Sequence, residues 1–216
     1  MDLSNRIERA YRASGNELGW RFLASPANVL DSAEVAFLGL NPGGRVRPTD
    51  HAEFAMPAGS AYVVESWAGH LPGGSPLQRQ VRALFNGLAV EPEDVLAGNL
   101  VPFRSPDWAS LHDREQALKF GIGLWREVLA LARPELVIGM GRETTGALAT
   151  MLDARNVQRV PIGWGKIAGV RADFANGTLV GLPHLSRFGI MLRPQSEAGL
   201  RTLFGRRWRS AGIACK

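Results

Sequence analysis

Cysteine is almost absent from the sequence, since Cys215 is the single thiol in 216 residues. One thiol excludes an internal disulfide framework, and it excludes an iron–sulfur cluster or a zinc site built from several thiolates. No hydrophobic run approaches the roughly 18 residues that a membrane-spanning helix needs. Residues 1–9 also lack the apolar core of a signal peptide. These absences predict a cytoplasmic protein without membrane contact.

Lysine is scarce as well, because only Lys119, Lys166 and Lys216 are lysines among the 25 basic residues. With 20 acidic residues the formal net charge is +5, and the isoelectric point is near 10.1. The planar arginine fork binds phosphate bidentately, so this composition is compatible with a nucleic-acid partner. A genome that favours arginine codons explains the composition equally well. Charge alone therefore leaves the partner open.

Apolar runs alternate with amphipathic stretches along most of the chain, whose 216 residues suit a single domain spanning 1–216. Buried strands are predicted at 35–40, 95–103, 136–140 and 178–182, and helices at 4–12 (with Ser4 as N-cap), 76–88, 114–133, 143–152 and 196–209. Residues 45–75 are typical of a long loop, and residues 153–177 show no regular pattern. The alternation predicts the α/β class, as a three-layer α/β/α fold around a central, mainly parallel sheet of about four strands.

Folds of this class place their chemistry in the loops that follow the carboxyl ends of the strands. The first predicted strand ends in residues 39–44, Gly-Leu-Asn-Pro-Gly-Gly. Its glycines allow a ligand to approach the backbone, and the Asn41 amide can both donate and accept hydrogen bonds. An ordinary turn explains the same residues, because Asn-Pro and Pro-Gly pairs are common in loops.

Polar side chains also mark the ends of two later strands. Asn99 lies inside an apolar run, where an amide without a partner is costly, so it must bond either the backbone or a ligand. His184 follows the last predicted strand, and Ser186 and Arg187 beside it suit a phosphate contact. A loop histidine satisfied within the protein remains the alternative for His184.

Several simpler motifs are absent. Residues 139–141, Gly-Met-Gly, precede a predicted helix, but Thr144 stands where a dinucleotide-binding loop needs its third glycine. The sequence has neither a phosphate-binding Gly-Lys-Ser/Thr loop nor a Gly-x-Ser-x-Gly elbow. Residues 51–53, His-Ala-Glu, imitate part of the zinc deaminase motif, but the paired cysteines are missing, which excludes deamination.

Taken together and in this order, the three strand-end motifs resemble the uracil-DNA glycosylase superfamily, over residues 35–189. Residues 39–43 fit the Gly-x-Asn-Pro-Gly motif of its mismatch-specific and single-strand-selective branches. Residues 184–186, His-Leu-Ser, resemble the His-Pro-Ser motif of the single-strand-selective and iron–sulfur branches, with Leu185 in place of proline. Residues 99–106 are similar to the Asn-Val-Val-Lys-Cys-Arg-Pro-Pro segment of the iron–sulfur branch, although that branch's cluster cysteines are missing here.

The resemblance implies a role for each matching residue. His184 would donate a hydrogen bond to the uracil O2, and Asn41 would hold the attacking water. The base would be bound by Gly39, Leu40, Gly43, Asn99 and Phe54, the last of which follows Asn41 at the spacing of a phenylalanine that stacks on uracil in related enzymes. The DNA strand would be held by Ser75 at a helix start, Ser186, Arg187 and Phe188.

The expected protein is thus a monofunctional uracil-DNA glycosylase of base excision repair, a monomer without cofactor or metal that binds DNA in a salt-dependent way. In a bacterium it would be nucleoid-associated. No lysine falls in a strand-end motif, so we expect no strand nicking. Two alternatives stay open, a glycosylase for hypoxanthine, xanthine or a modified pyrimidine, and a non-catalytic nucleic-acid-binding module. The basic group Arg201, Arg206, Arg207 and Arg209 either adds nonspecific affinity for DNA or forms a solvated helix face, and the solvated face is the preferred interpretation.

Overall fold

A six-stranded mixed sheet organises the computed structural model, which describes residues 2–210. Its strands are β1 (Val35–Gly39), β2 (Leu96–Asn99), β3 (Leu136–Met140), β4 (Arg155–Trp164), β5 (Ile167–Phe174) and β6 (Gly177–Leu182). They lie in the order β2-β1-β3-β6-β5-β4, and the first four in that order are parallel. The α/β class is confirmed, but the expected number of about four strands was too low. Cys215 lies outside the described residues.

The four parallel strands are short and apolar because they are covered on both faces. Every residue of β1 and β3 is buried, as expected for strands between two helical layers. The predicted strand at 95–103 is shorter in the structure, where β2 ends at Asn99. Strand β2 ends at Asn99 although the apolar run continues with the buried Leu100 and Val101, so the candidate residue stands at the carboxyl end of the strand.

Helices pack on both faces of the sheet. They are α1 (Leu3–Ala13), α2 (Val29–Ser32), α3 (Ala61–Val64), α4 (Pro76–Leu88), α5 (Arg114–Ala132), α6 (Arg142–Met151) and α7 (Glu197–Phe204). Apolar residues of α3, α4 and α7 form one core layer with Phe37 of β1, and those of α1, α5 and α6 form the other with Leu38. No helix within residues 2–210 is both long enough and apolar enough to cross a membrane.

Two helix ends differ from the prediction. Helix α1 begins at Leu3, and its N-cap is Asp2, whose carboxylate accepts from the backbone N–H of Ser4 and Asn5. Helix α7 ends at Phe204, because Gly205 adopts a positive φ of 58° and the chain tightens into a 3₁₀ turn over Gly205–Arg207. The predicted helix to residue 209 was therefore too long.

The stretch after residue 152, where no regular element was predicted, forms the antiparallel β4–β5 hairpin. Residues 155–159 at the start of β4 are all exposed, so the apolar alternation of a half-buried strand is missing there. Val160 and Ile162 are the buried residues of β4, and α7 packs over this part of the strand. Tertiary contact with α7 thus stabilises a strand that has no sequence signature of its own.

Helix α5 approaches the end of β2 closely because it carries a glycine there. A Cβ added to Gly121 would lie 2.1 Å from the carbonyl oxygen of Leu100, whereas a Cβ on Gly123 would meet nothing within 4 Å. We expect Gly121→Ala to lower the free energy of unfolding by about 1–3 kcal/mol or more through overpacking. Gly123→Ala should raise it by up to about 1 kcal/mol through helix propensity.

Urea unfolding of the two alanine variants checks this expectation, since they differ only in what the new methyl group meets. Equal effects of the two substitutions on the free energy of unfolding would show that the close approach of α5 to β2 is not required.

Candidate active site

Three of the predicted polar residues lie at one edge of the sheet. Asn99 ends β2, Asn41 follows β1 by two residues, and His184 follows β6 by two residues. Strand β3 alone separates β1 from β6 in the sheet. Neighbouring strands lie about 4.8 Å apart, so the ends of β1 and β6 are separated by about 10 Å at this edge. Strand β2 lies one spacing farther from β6 than β1 does, so the three strand ends together span about 14 Å.

The Asn99 side chain lies across the backbone of Gly39. A Cβ on Gly39 would be 2.8 Å from the Asn99 Oδ1 and 3.5 Å from the Cε of Met140. The Asn99 carbonyl accepts a hydrogen bond of 2.8 Å from the indole N–H of Trp125, which holds the end of β2. Within residues 2–210 the amide group of Asn99 makes no hydrogen bond to protein, and it is available to a ligand. The Asn99 side chain can therefore occupy this position only because residue 39 is glycine.

The Asn41 amide is oriented by its neighbours. Its Nδ2 donates to the Oγ of Ser105 at 2.8 Å and to the carbonyl of Pro42 at 3.3 Å. The Ser105 hydroxyl in turn donates to the backbone oxygen of Asp107 at 2.7 Å. Both amide protons of Asn41 are therefore engaged, and its Oδ1 has no donor among the residues the structure describes. This oxygen is a fixed acceptor, as a water-positioning role requires.

His184 stands in a tight turn that is held on both sides. Its carbonyl accepts from the backbone N–H of Arg187 at 2.9 Å and of Phe188 at 3.1 Å. Leu185 is buried in the same core layer as the apolar residues of α4, so it anchors the turn by packing. The turn then continues to Met191, whose N–H donates to the buried Oε1 of Gln80 in α4 at 2.9 Å.

His184 is an exposed residue at this edge of the sheet, but neighbouring protein partly covers its imidazole, whose Nδ1 lies 2.8 Å from the Oγ of Ser186. Desolvation by the surrounding protein lowers its pKa below the usual range, and the positive charge of Arg187 lowers it further. The ring is therefore neutral at pH 7. When the Ser186 hydroxyl donates to Nδ1, the single ring proton sits on Nε2, which can donate to a ligand.

The structure places Phe54 away from Asn99. Its backbone oxygen accepts from Leu23, and its ring packs against Phe22, with centroids 5.8 Å apart. Phe22 and Phe54 belong to the core layer that contains α5. The Asn99 side chain lies on the other face of the sheet, near Met140 in the core layer that contains α4. The stacking role predicted for Phe54 has no support from this placement.

Ser75 is not available to a DNA phosphate. It is buried, and its hydroxyl accepts from the backbone N–H of Gln78 while its own N–H donates to the Gln78 side chain. This reciprocal capping box uses the polar groups of Ser75 to begin α4. The predicted phosphate contact of Ser75 is corrected accordingly. Ser186 and Arg187 are exposed, and Phe188 is half-buried.

Arg104 is a site residue that the sequence reasoning missed. It is 9% exposed, and its Nη1 donates to the carbonyl of Gly43. Its buried Nε has no hydrogen-bond partner. Burial lowers the pKa of Arg104, and the charge of Arg21 adds to this effect. Because Arg104 lies in segment 99–106, directly after a predicted strand, its position in the sequence could have indicated a place in the site.

Arg21 and Glu65 form a buried ion pair beside this arginine, with two hydrogen bonds of 2.7 and 2.8 Å. Their side chains are 6% and 10% exposed. Burial by itself raises the pKa of Glu65, but the bonds from Arg21 and from the indole of Trp67 outweigh it and lower the pKa. Glu65 is therefore ionised at neutral pH and neutralises Arg21. Arg104 keeps its charge next to the Asn41 loop.

No group of three or more His, Cys, Asp or Glu side chains within residues 2–210 is arranged to hold a metal ion.

A scan of the sequence against models of protein families found no match, and a search of curated protein sequences found none either.

The titration of His184 tests the electrostatics of the turn. Because the positive charge of Arg187 lowers the His184 pKa, Arg187→Gln should move this pKa upward, toward the ordinary value of about 6.5. The imidazole would then become protonated at a higher pH than in the unmodified protein. A proton NMR titration of the histidine ring signals measures the shift, with His184→Ala identifying the signal.

The control is Arg126→Gln, which replaces an exposed arginine on α5 and should leave the His184 pKa unchanged. An unchanged His184 pKa in Arg187→Gln would refute this coupling.

Proposed function

We propose that this protein is a monofunctional DNA glycosylase that hydrolyses the N-glycosidic bond of uracil, or of a related deaminated base, and leaves an abasic site. The observation that carries the proposal is that the free amide of Asn99, the fixed oxygen of Asn41 and the neutral imidazole of His184 lie at the carboxyl ends of β2, β1 and β6, on one edge of the sheet. The resemblance of the same three motifs to the uracil-DNA glycosylase superfamily supports it.

Asn99 reads the base in this mechanism. The base must first leave the stack and enter the site. The Asn99 amide then donates to O4 and accepts from N3–H of uracil. Cytosine is rejected because its exocyclic amine faces a donor and its N3 has no proton to give. Gly39, Leu40 and Gly43 supply backbone close to the base, since no side chain at Gly39 stands between Asn99 and the ligand.

His184 stabilises the leaving group. Cleavage of the glycosidic bond leaves negative charge on the departing base and positive character on the sugar. The Nε2–H of the neutral imidazole donates to O2 of the base as this charge develops, without having to transfer its proton. One well-aimed donor of this kind is worth about 3–4 kcal/mol of the barrier.

Asn41 positions the water. Its amide protons are held by Ser105 and Pro42, so its Oδ1 accepts a hydrogen bond from a water directed at the sugar carbon. The contribution is orientation, which does not require a strong base. Lys166 is exposed in the turn between β4 and β5, and an amine nucleophile needs a desolvated setting. Hydrolysis by water is thus favoured over attack by lysine.

Excision assays on oligonucleotides that carry a single uracil test the proposal. His184→Ala should lower the excision rate about 100-fold or more, because it removes the donor to the leaving group. His70→Ala, an exposed histidine outside the site, is the matched control and should keep the full rate. The proposal fails if the purified protein leaves uracil, hypoxanthine and xanthine untouched in both single and double strands.

A panel of modified bases separates the second candidate, a glycosylase of the same chemistry for another base. The Phe54 ring was expected to stack on uracil, but it packs against Phe22 instead. The absence of this ring from the site favours a base other than uracil. Excision of one other base at a higher rate than uracil, with the same dependence on His184, would establish it. Salt-dependent DNA binding without any excision would instead indicate a non-catalytic module.

Ser105 is a positioning residue in this mechanism, and Ser105→Ala tests the role. Loss of its hydroxyl frees the Asn41 amide to rotate, and we expect excision to fall about 10- to 100-fold. Ser110→Ala is the matched control, because Ser110 bonds to the exposed carboxylate of Asp107 and not to Asn41. The single-turnover rate at saturating enzyme is the measurement, since a positioning defect lowers that rate. An unchanged rate would assign Ser105 a structural role only.

A further inference from the structure

The turn between β4 and β5 lies beside the His184 turn. Val170 of β5 pairs with Gly181 of β6 in antiparallel register. Ile167, the first residue of β5, lies three residues before Val170, and His184 lies three residues after Gly181. The hairpin turn therefore extends past the carboxyl ends of the parallel strands, on the flank of the candidate site farthest from β2.

Aromatic contacts join the hairpin turn to the His184 turn. The rings of Trp164 and Phe188 pack edge to face, with centroids 5.9 Å apart. The guanidinium carbon of Arg193 lies 4.7 Å from the centroid of the Trp164 ring, which is a cation–π contact. Both rings remain partly exposed. Trp164, Phe188 and Arg193, together with Lys166 in the hairpin turn, are called the hairpin cluster below.

The positive charges of the hairpin cluster are not neutralised by protein. Neither Lys166 nor Arg193 forms an ion pair with a carboxylate anywhere in the part of the chain that the structure describes, and neither does Arg187 next to them. The buried Nε of Arg193 also lacks a hydrogen-bond partner.

Of the four arginines in the basic C-terminal group, Arg201 pairs with Glu197 and Arg207 with Glu135, whereas Arg206 and Arg209 form no ion pair among residues 2–210. Unpaired positive charge and exposed aromatic surface thus coincide beside His184. Neither feature on its own would identify a ligand.

We propose that the hairpin cluster binds the nucleotides that flank the base in the active site. This inference rests on the proposed function, which brings a DNA strand to His184. Bases stack on aromatic rings and on guanidinium planes regardless of their sequence, and Trp164, Phe188 and Arg193 offer such surfaces. Phosphates of the same stretch of strand meet Lys166 and Arg187. A strand whose base lies near His184 must pass this cluster, because Phe188 belongs to the same turn as His184.

Binding of undamaged DNA tests the cluster separately from catalysis. The probe is a labelled single-stranded oligonucleotide without any modified base, followed by fluorescence anisotropy with the full chain over a range of salt concentrations. Trp164→Ala should weaken binding about tenfold or more, as expected for the loss of one stacked base, and Trp164→Phe should recover much of the affinity. Lys166→Gln should reduce the magnitude of the salt slope by about 0.7, the value for one phosphate contact on a single strand.

Arg126→Gln is the matched control for charge, since Arg126 is exposed on α5 and belongs to neither turn. It should leave affinity and salt slope unchanged. If Trp164→Ala and Lys166→Gln bind the oligonucleotide like the unmodified protein, the cluster does not contact DNA and the inference is wrong, even where uracil is excised. If instead these variants weaken binding and no base is excised, the proposed function fails while the DNA surface stands. If Trp164→Ala does not fold, Lys166→Gln and Trp164→Phe decide the question.

Discussion

The close approach of Asn99 to the backbone of Gly39 is the constraint on which the candidate site depends. A side chain at position 39 would meet the Asn99 oxygen at 2.8 Å, so the amide could not lie across β1. The indole of Trp125 holds the end of β2 through the Asn99 carbonyl. Trp125 belongs to the core layer that contains α5, so the position of the Asn99 amide depends on the packing of this helix against the sheet.

The site combines a neutral donor with uncompensated positive charge. His184 is neutral because its surroundings and Arg187 lower its pKa, while Arg187 and Lys166 remain exposed cations without carboxylate partners among residues 2–210. This arrangement fits the proposed reaction on DNA, in which the cations would attract the strand and the neutral imidazole would donate to the negative leaving group. The charge of Arg187 thus lowers the pKa of His184 and also adds to the positive charge beside it.

The sequence predicted the parts of the fold whose residues repeat a local pattern. The four parallel strands and the five longer helices were predicted because apolar runs and helical spacing mark them, whereas the four-residue helices α2 and α3 were not. The hairpin of β4 and β5 was missed, since the exposed residues 155–159 carry no alternation. Ser105, Arg104 and Trp164 were missed for a related reason: their roles arise from contacts with residues far away in the chain, at positions 41, 43 and 193.

By itself the sequence determined which residue types follow the parallel strands. Because parallel strands end at a common edge, it also indicated where an α/β protein would have its site. It also determined that Gly39 and Asn41 stand together. Only the tertiary structure decided which side chains reach that edge. Phe54 packs against Phe22 and Ser75 begins a helix, since core packing and helix capping stabilise those arrangements. The hairpin reaches His184 because the register of β5 on β6 carries it there, and register is set by pairing between distant segments.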